Sequence, residues 1–309
     1  MHKSNFKIAG LIIALSLSGL LAACSGGTSS TDGNVEIGGE DIEIPYIGAG
    51  STARSLVLAQ VLEDVGYNVT STQVGATGPM FASTAENKDT LNTSGWFPAT
   101  DKAYLDKYGD DLDIYDSDNV IDNASLSLAV PEYMDDVESI NDLKDNKDLG
   151  KSVDWTIVGI DPRTGIMKNT EKGLDDNDLD KWDLKKGTEL SMLSELQEAY
   201  KNQDPIIITG WQPHWIFNEL DLKMLKDPDK IYGGNDDHIN LVFNKDFQAA
   251  HPAAYKIATR MADDWNKEDE NKLMKRIFVK EENAEKVAED FVDDHTHRID
   301  KWKQDVEKK

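Results

Sequence analysis

Four short apolar runs punctuate the chain, and each meets a turn signal. Residues 42–47 (IEIPYI) end at Gly48-Ala49-Gly50, and residues 125–130 (SLSLAV) end at Pro131. Residues 155–160 (WTIVGI) run into Asp161-Pro162, and residues 205–209 (PIIIT) stop at Gly210. Runs of this length with β-branched residues predict buried strands. After the first run, Ala53, Leu56, Val57 and Val61 keep helical spacing, with Ser51 or Thr52 available as a cap and Gly66 as the stop. Strands that alternate with helices predict an α/β fold built on parallel sheets. Beyond residue 247 the pattern turns helical. There Met261, Trp265, Met274, Ile277, Val287, Phe291, Ile299 and Trp302 form an intermittent apolar stripe suited to core packing.

The first residues read as an address. His2, Lys3 and Lys7 precede a fourteen-residue apolar run, Ile8 to Leu21. A membrane-spanning helix needs about 20 apolar residues, so this run is short. Leu21-Ala22-Ala23-Cys24 follows, and the layout is that of a secretory signal peptide over 1–23. Cys24 is the sole cysteine, and its place resembles the lipobox of bacterial lipoproteins, in which the Cys is lipidated. Residues 24–39 are rich in Gly, Ser and Thr and predict a flexible tether. These features predict a chain anchored by lipid to the outer face of a cell membrane. No later run is long and apolar enough to span.

Charge narrows the partners. Lys and Arg total 33 against 58 Asp and Glu, a formal net charge of -25. So acidic a surface repels phosphate, which argues against nucleic acid. Acidic pairs such as Asp135-Asp136, Asp175-Asp176 and Asp263-Asp264 read as solvated surface, and no EF-hand loop pattern is present. One cysteine excludes an internal disulfide and a Cys-rich metal site. His295 and His297 stand two apart, a spacing that does not share a helix face, so no metal site is predicted.

A repeat carries the functional signal. Thr93-Ser94-Gly95-Trp96-Phe97-Pro98 recurs as Ile208-Thr209-Gly210-Trp211-Gln212-Pro213, a shared [ST]-G-W-x-P. Each copy follows a Gly-containing strand-to-helix turn, at Gly48 and at Gly159, by 48 and 52 residues. Matching order and spacing predict two similar lobes, each presenting a Trp near its strand ends, where open α/β sheets border a ligand crevice. Trp held in a loop between Gly and Pro suits a ligand wall, or packing at a lobe interface. A permanently methylated ammonium offers no N–H, but indole faces hold it through the ring quadrupole and dispersion, at about 0.5–2 kcal/mol per contact. The Gly159-Ile160-Asp161-Pro162-Arg163-Thr164-Gly165 turn opens a helix, where free amides bind anions. Gly159 and Ile160 are the candidate donors, with Arg163 or Thr164 as helpers. A sugar or amine stacked on the rings is the competing solute. A secreted lipid-anchored hydrolase would need a nucleophile beside a base, and G-x-S-x-G is absent.

At these residues the sequence resembles the substrate-binding lipoproteins of ABC importers for glycine betaine and related osmoprotectants. The carriers are QVLEDVGYNVT (60–70), SGWFPATDKAY (94–104), LSLAVPEYM (126–134), IVGIDPRTGIM (157–167) and PIIITGWQPHW (205–215), within a likeness that covers 42–305. The resemblance implies a two-lobed, type II periplasmic-binding-protein fold that closes like a hinge. Lobe I is expected at 40–125 plus 233–309 and lobe II at 126–232. It implies that Trp96 and Trp211 wall the trimethylammonium, that the Gly159 and Ile160 amides hold the carboxylate, and that a monomer without cofactor delivers its ligand to an ABC permease without catalysis. Two positions depart from the relatives. Many carry a third box Trp on the first strand-to-helix turn, whereas this turn reads Tyr46-Ile47-Gly48, leaving Tyr46 or Phe81 as a further face. Many also carry a His five residues after the first Trp, and here that residue is Asp101. An ionised Asp101 would attract a cation or accept from a hydroxyl, which brings choline and carnitine into the range of ligands.

Overall fold

The structure is a computed structural model that describes residues 34–233 and 237–306. The leader expected over 1–23, Cys24 and the tether up to residue 33 lie outside the described residues. The described chain opens with residues held in place. Val35 bridges to Val306, the Ile37 carbonyl accepts from the Tyr67 hydroxyl at 2.6 Å, and Gly39 N–H donates to Ala250 at 2.8 Å.

Among the described residues, ten strands and twelve α-helices follow in an order that repeats. The first set is β1 (Asp41–Ile47), α1 (Gly48–Glu63), β2 (Asn68–Val74), α2 (Thr77–Glu86) and β3 (Leu91–Phe97), then α3 (Lys102–Tyr108) and β4 (Leu112–Ile114). A long strand, β5 (Ile121–Pro131), leads to α4 (Lys147–Ser152). The second set is β6 (Thr156–Val158), α5 (Gly165–Asp176), β7 (Asp183–Lys185), α6 (Glu189–Asn202) and β8 (Ile208–Gln212), then α7 (Ile216–Glu219) and β9 (Leu222–Met224). The return strand β10 (Asp237–Asn244) leads into α8 (Phe247–Ala250), α9 (Pro252–Ala262), α10 (Lys267–Met274), α11 (Ala284–Asp294) and α12 (Thr296–Trp302). Among the described residues no helix is long and apolar enough to cross a membrane.

The two sets build two lobes of the same design. In the first, β1 pairs parallel with β2 and bridges parallel to Thr90 at the foot of β3, while β10 runs antiparallel to β3 and β4. In the second, β6 pairs parallel with β7 and β8, while β5 runs antiparallel to β8 and β9. The expectation of parallel sheets is therefore corrected. Hydrophobic runs reveal strands but not their direction, and the two strands that carry the chain between lobes run against their neighbours. β5 and β10 also pair with each other, at Ala124↔Asp237 and Ile121↔Ile239. The start of β5 thus belongs to one lobe and its apolar remainder, Leu126 to Val130, to the other.

Local chemistry explains the frame around α1. Ala53, Leu56, Val57 and Val61 are buried as their spacing requires, and α10 and α11 cover the helix. Neither Ser51 nor Thr52 caps it. Both lie inside the first turn and donate back, Ser51 to the Ile47 carbonyl at 3.2 Å and Thr52 to that of Gly48 at 2.5 Å. Behind this turn lies a fully buried ion pair, Arg54–Glu270, at 2.9 Å. Arg54 also donates to the Thr93 carbonyl at 2.8 Å and the Gly50 carbonyl at 2.5 Å, and Glu270 accepts from Trp265 Nε1 at 2.8 Å. The network ties α1, β3 and α10 together immediately behind two residues, Gly50 and Ser94, that face the inter-lobe cleft. Removing one partner of such a pair strands a buried charge. Glu270→Ala is expected to lower unfolding free energy by about 3–5 kcal/mol in urea titrations, and Arg54→Met/Glu270→Leu to recover most of the loss. A single mutant as stable as wild type would contradict this role.

Candidate functional site

The repeated [ST]-G-W-x-P segments end the two strands that flank the crossing pair. Trp96 lies opposite Ile239 of β10, and Trp211 opposite Leu126 of β5. Both tryptophans are strand residues rather than loop residues, and both following x-Pro bonds are cis. The glycines before them serve packing, not ring exposure. A Cβ on Gly95 would sit 2.5 Å from Val242 Cγ2, and one on Gly210 would sit 2.8 Å from Ala129 Cβ. Each Gly therefore lets the crossing strand press close beside its Trp.

Trp96 and Trp211 line one cavity between the lobes, of about 80 Å³. Lobe I adds Ile47, Gly50, Thr77, Ser94, Thr100 and Asp101. Lobe II adds Leu126, Ile160, Thr164, Gly165, Ile166 and Glu189. A water needs about 10–15 Å³ on this measure, so the space suits a compact solute. The lining is mostly apolar with a few convergent polar groups, the usual make-up of a small-molecule site. Both rings are more than nine-tenths buried, and Trp96 Nε1 is fixed by Ser94 Oγ at 3.2 Å.

The starts of α1, α2, α5 and α6 all reach this cavity, through Gly50, Thr77, Gly165 and Glu189. Helix starts carry partial positive charge and unpaired amides. The N–H groups of Gly165 and Ile166 meet no acceptor among the described residues. Sequence reasoning places the anion donors slightly early. Gly159 N–H is engaged by the Lys185 carbonyl at 2.9 Å, a consequence of β6–β7 pairing, and Gly159 is outside the lining. Ile160 does line the cavity, and its N–H points to Met167 Sδ at 3.2 Å, a weak acceptor. Arg163 is tied to Asp161 at 2.7 Å and its side chain is largely exposed, outside the lining.

Two further faces need correction. Tyr46 is half-buried beside the core and raised in pKa by burial and by Glu285, outside the cavity lining; Ile47 takes the place at the rim of α1. Phe81 is fully buried in a separate cluster, stacked 5.2 Å from Tyr104.

Asp101 is buried in the lining. Its Oδ2 accepts from Trp96 N–H at 3.0 Å, and its Oδ1 faces Gly165 across the cleft, where an added Cβ would lie 3.3 Å away. Burial pushes its pKa up to about 8, and Asp237 adds to the rise, while the Trp96 amide and Lys168 oppose it. At neutral pH the side chain is therefore mainly a carboxylic acid, a donor as well as an acceptor.

Sequence reasoning missed Glu189. It is the first residue of α6, whose Thr188 cap and Ser191 form a reciprocal capping box. That T-x-x-S signature marks the helix start in the sequence, but an acid there reads as ordinary dipole complement. In the fold its carboxylate crosses the cleft and accepts from Ala49 N–H at 3.3 Å. It also meets His214 Nε2 at 3.3 Å. His214 Nδ1 accepts from Ile216 N–H at 3.2 Å, which assigns the proton to Nε2. The imidazole is buried and edge-on to Trp211 at 4.5 Å, so His214 supports the wall rather than lining it. On another side of the rim, Tyr104 donates to the Arg163 carbonyl at 2.8 Å and accepts from Lys168 at 2.7 Å. The lobes thus touch around the cavity. Among the described residues no cluster of His, Cys, Asp and Glu could hold a metal ion.

Comparison with known proteins agrees with this geometry. A family model described as the substrate binding domain of the ABC-type glycine betaine transport system matches residues 46–294. The glycine betaine/carnitine transport binding protein GbuC of Listeria monocytogenes is 35% identical over 164 residues, a match that spans about half of each chain, 52% here and 53% there. The crystal structure of lactococcal OpuAC, closed and complexed with glycine betaine, superposes with a TM-score of 0.76 at 30% identity, covering 86% of this chain and 100% of that one. The glycine betaine/L-proline-binding protein ProX of Borrelia burgdorferi gives a TM-score of 0.78 at 26% identity, over 85% and 96%. The chain belongs to this family of ABC-importer substrate-binding proteins, and its fold is the two-lobed one of periplasmic binding proteins.

Proposed function

We propose that this protein captures glycine betaine, or a close quaternary ammonium relative, between its lobes and presents it to a membrane permease. The observation that carries the reading is a single one: Trp96 and Trp211, from opposite lobes, line the same small cavity. Two desolvated indole contacts contribute about 1–4 kcal/mol to holding a methylated cation, and a pre-shaped cleft keeps the ordering cost low. The lobes divide at 40–125 plus 233–309 and 126–232, with the crossing strands β5 and β10 as the hinge. Lipid on Cys24 would hold the molecule at the outer face of the membrane.

Asp101 fits the carboxylate end of a betaine rather than opposing it. An ionised carboxylate would repel that end and favour choline. Burial keeps Asp101 protonated, so it can donate to the ligand carboxylate alongside the Gly165 and Ile166 amides. The Ile160 amide joins them if the Met167 sulfur yields.

Trp96→Ala and Trp211→Ala are each expected to weaken glycine betaine binding about tenfold or more in titration calorimetry, with the melting transition retained. Unchanged affinity in both would remove the rings from the site. Glycine betaine affinity is expected to hold steady below pH 8 and to decline above it, as the Asp101 proton is lost near its pKa of about 8. Choline affinity should not decline over that range. Asp101→Asn keeps a donor and should abolish the pH dependence; a betaine profile that is flat in wild type contradicts the donor role. The same raised pKa has a stability consequence. Below the ordinary carboxylate range both states are protonated, and above it the unfolded chain ionises while the folded chain holds its proton. Asp101 therefore subtracts from stability progressively as pH rises from about 4 to about 8, and Asp101→Asn should flatten that slope in urea titrations.

A further inference from the structure

Glu189 stands apart from the other cavity groups. It is a carboxylate rooted in lobe II that reaches the first turn of α1 in lobe I. The approach is close enough to restrict the opposite residue, since a Cβ on Gly48 would lie 2.8 Å from Glu189 Oε2. One oxygen takes the Ala49 amide and the other the His214 Nε2–H, and the carboxylate lies in the cavity lining with its side chain only 20% exposed. Two neutral donors hold the group in place without neutralising it. No Lys or Arg pairs with it among the described residues.

We propose that Glu189 is the counter-charge of the cation subsite, the cavity residue that makes the cleft select a positively charged solute over a neutral one of the same shape. The inference rests on the functional reading above and names what that reading lacks. The quadrupole of each indole face favours a cation only modestly, and a neutral tert-butyl group keeps the dispersion part of that contact because it presents nearly the same surface. A fixed carboxylate in a partly dehydrated cavity separates the two, because its attraction to a full positive charge is far stronger there than in water. Its position also ties selection to closure. The Ala49 contact exists only while the lobes meet, so the carboxylate completes the site as the cleft shuts. His214 is a positioning residue, fixing Glu189 on one face while its ring supports Trp211 on the other.

The test compares glycine betaine with 3,3-dimethylbutyrate, which has carbon in place of the quaternary nitrogen, by titration calorimetry on the wild-type protein and Glu189→Gln. The variant keeps the length and an acceptor but removes the charge. Glycine betaine is expected to bind about tenfold more weakly to Glu189→Gln, while 3,3-dimethylbutyrate binds equally well or better. Equal loss for both ligands, or no loss for betaine, overturns the proposal. Glu189→Asp is the second variant, for it keeps the charge while giving up both contacts. It should retain more betaine affinity than Glu189→Gln, and the reverse order would assign Glu189 to lobe contact alone. Wild-type protein that binds no glycine betaine would instead contradict the functional reading, and the inference with it.

Discussion

The antiparallel ladder between β5 and β10 is the constraint on which the rest of the molecule depends. Each crossing strand carries the neighbouring strands of one lobe, and among the described residues the two pair at Ala124↔Asp237 and Ile121↔Ile239. β3 lies on the outer side of β10 and β8 on the outer side of β5. The ends of these two strands carry the indoles, so the crossing pair brings Trp96 and Trp211 to a common cavity from opposite lobes. The arrangement suits a receptor that must open and close, since a short ladder is where the eight-stranded sheet passes from one lobe to the other.

Polar groups around the cavity follow from the same repetition. Because both lobes run strand, helix, strand, helix, strand, four helix starts converge where the parallel strands end. Helix starts favour anions. At two places the chain supplies a carboxyl group: Glu189 on the α1 amide of Ala49, and Asp101 close to the start of α5. Their surroundings differ. Glu189 is partly exposed and held by two donors, whereas Asp101 is buried with a single amide and keeps its proton to about pH 8. On the proposed reading this asymmetry matches a zwitterion, with a charged carboxylate for its cation and a carboxylic acid with free amides for its anion.

Much of this was legible in the sequence, and the failures have physical causes. The [ST]-G-W-x-P repeat marked both tryptophans and the two-lobed design, because similar strand ends demand similar residues. The role of the glycines was not legible, since Gly95 and Gly210 answer to Val242 and Ala129, which are distant in sequence. Strand direction was invisible for the same reason: β5 reads as any buried strand until its partners are known. At the first turn the aromatic residue drew attention, yet Ile47 faces the cavity while Tyr46 sits by the core. Gly159 carried the expected helix-start signal, but pairing with β7 consumed its amide and moved the open donors to Gly165 and Ile166. Glu189 was hidden behind a plain capping pattern, and only the fold brings it to Ala49.

The central claim is that one methylated cation lies between indoles donated by opposite lobes. A crystal structure of the protein grown with glycine betaine tests it most directly. The account expects the quaternary nitrogen within about 6 Å of the ring centroids of both Trp96 and Trp211. A betaine seated against only one of these rings, or bound outside the cleft, would contradict it.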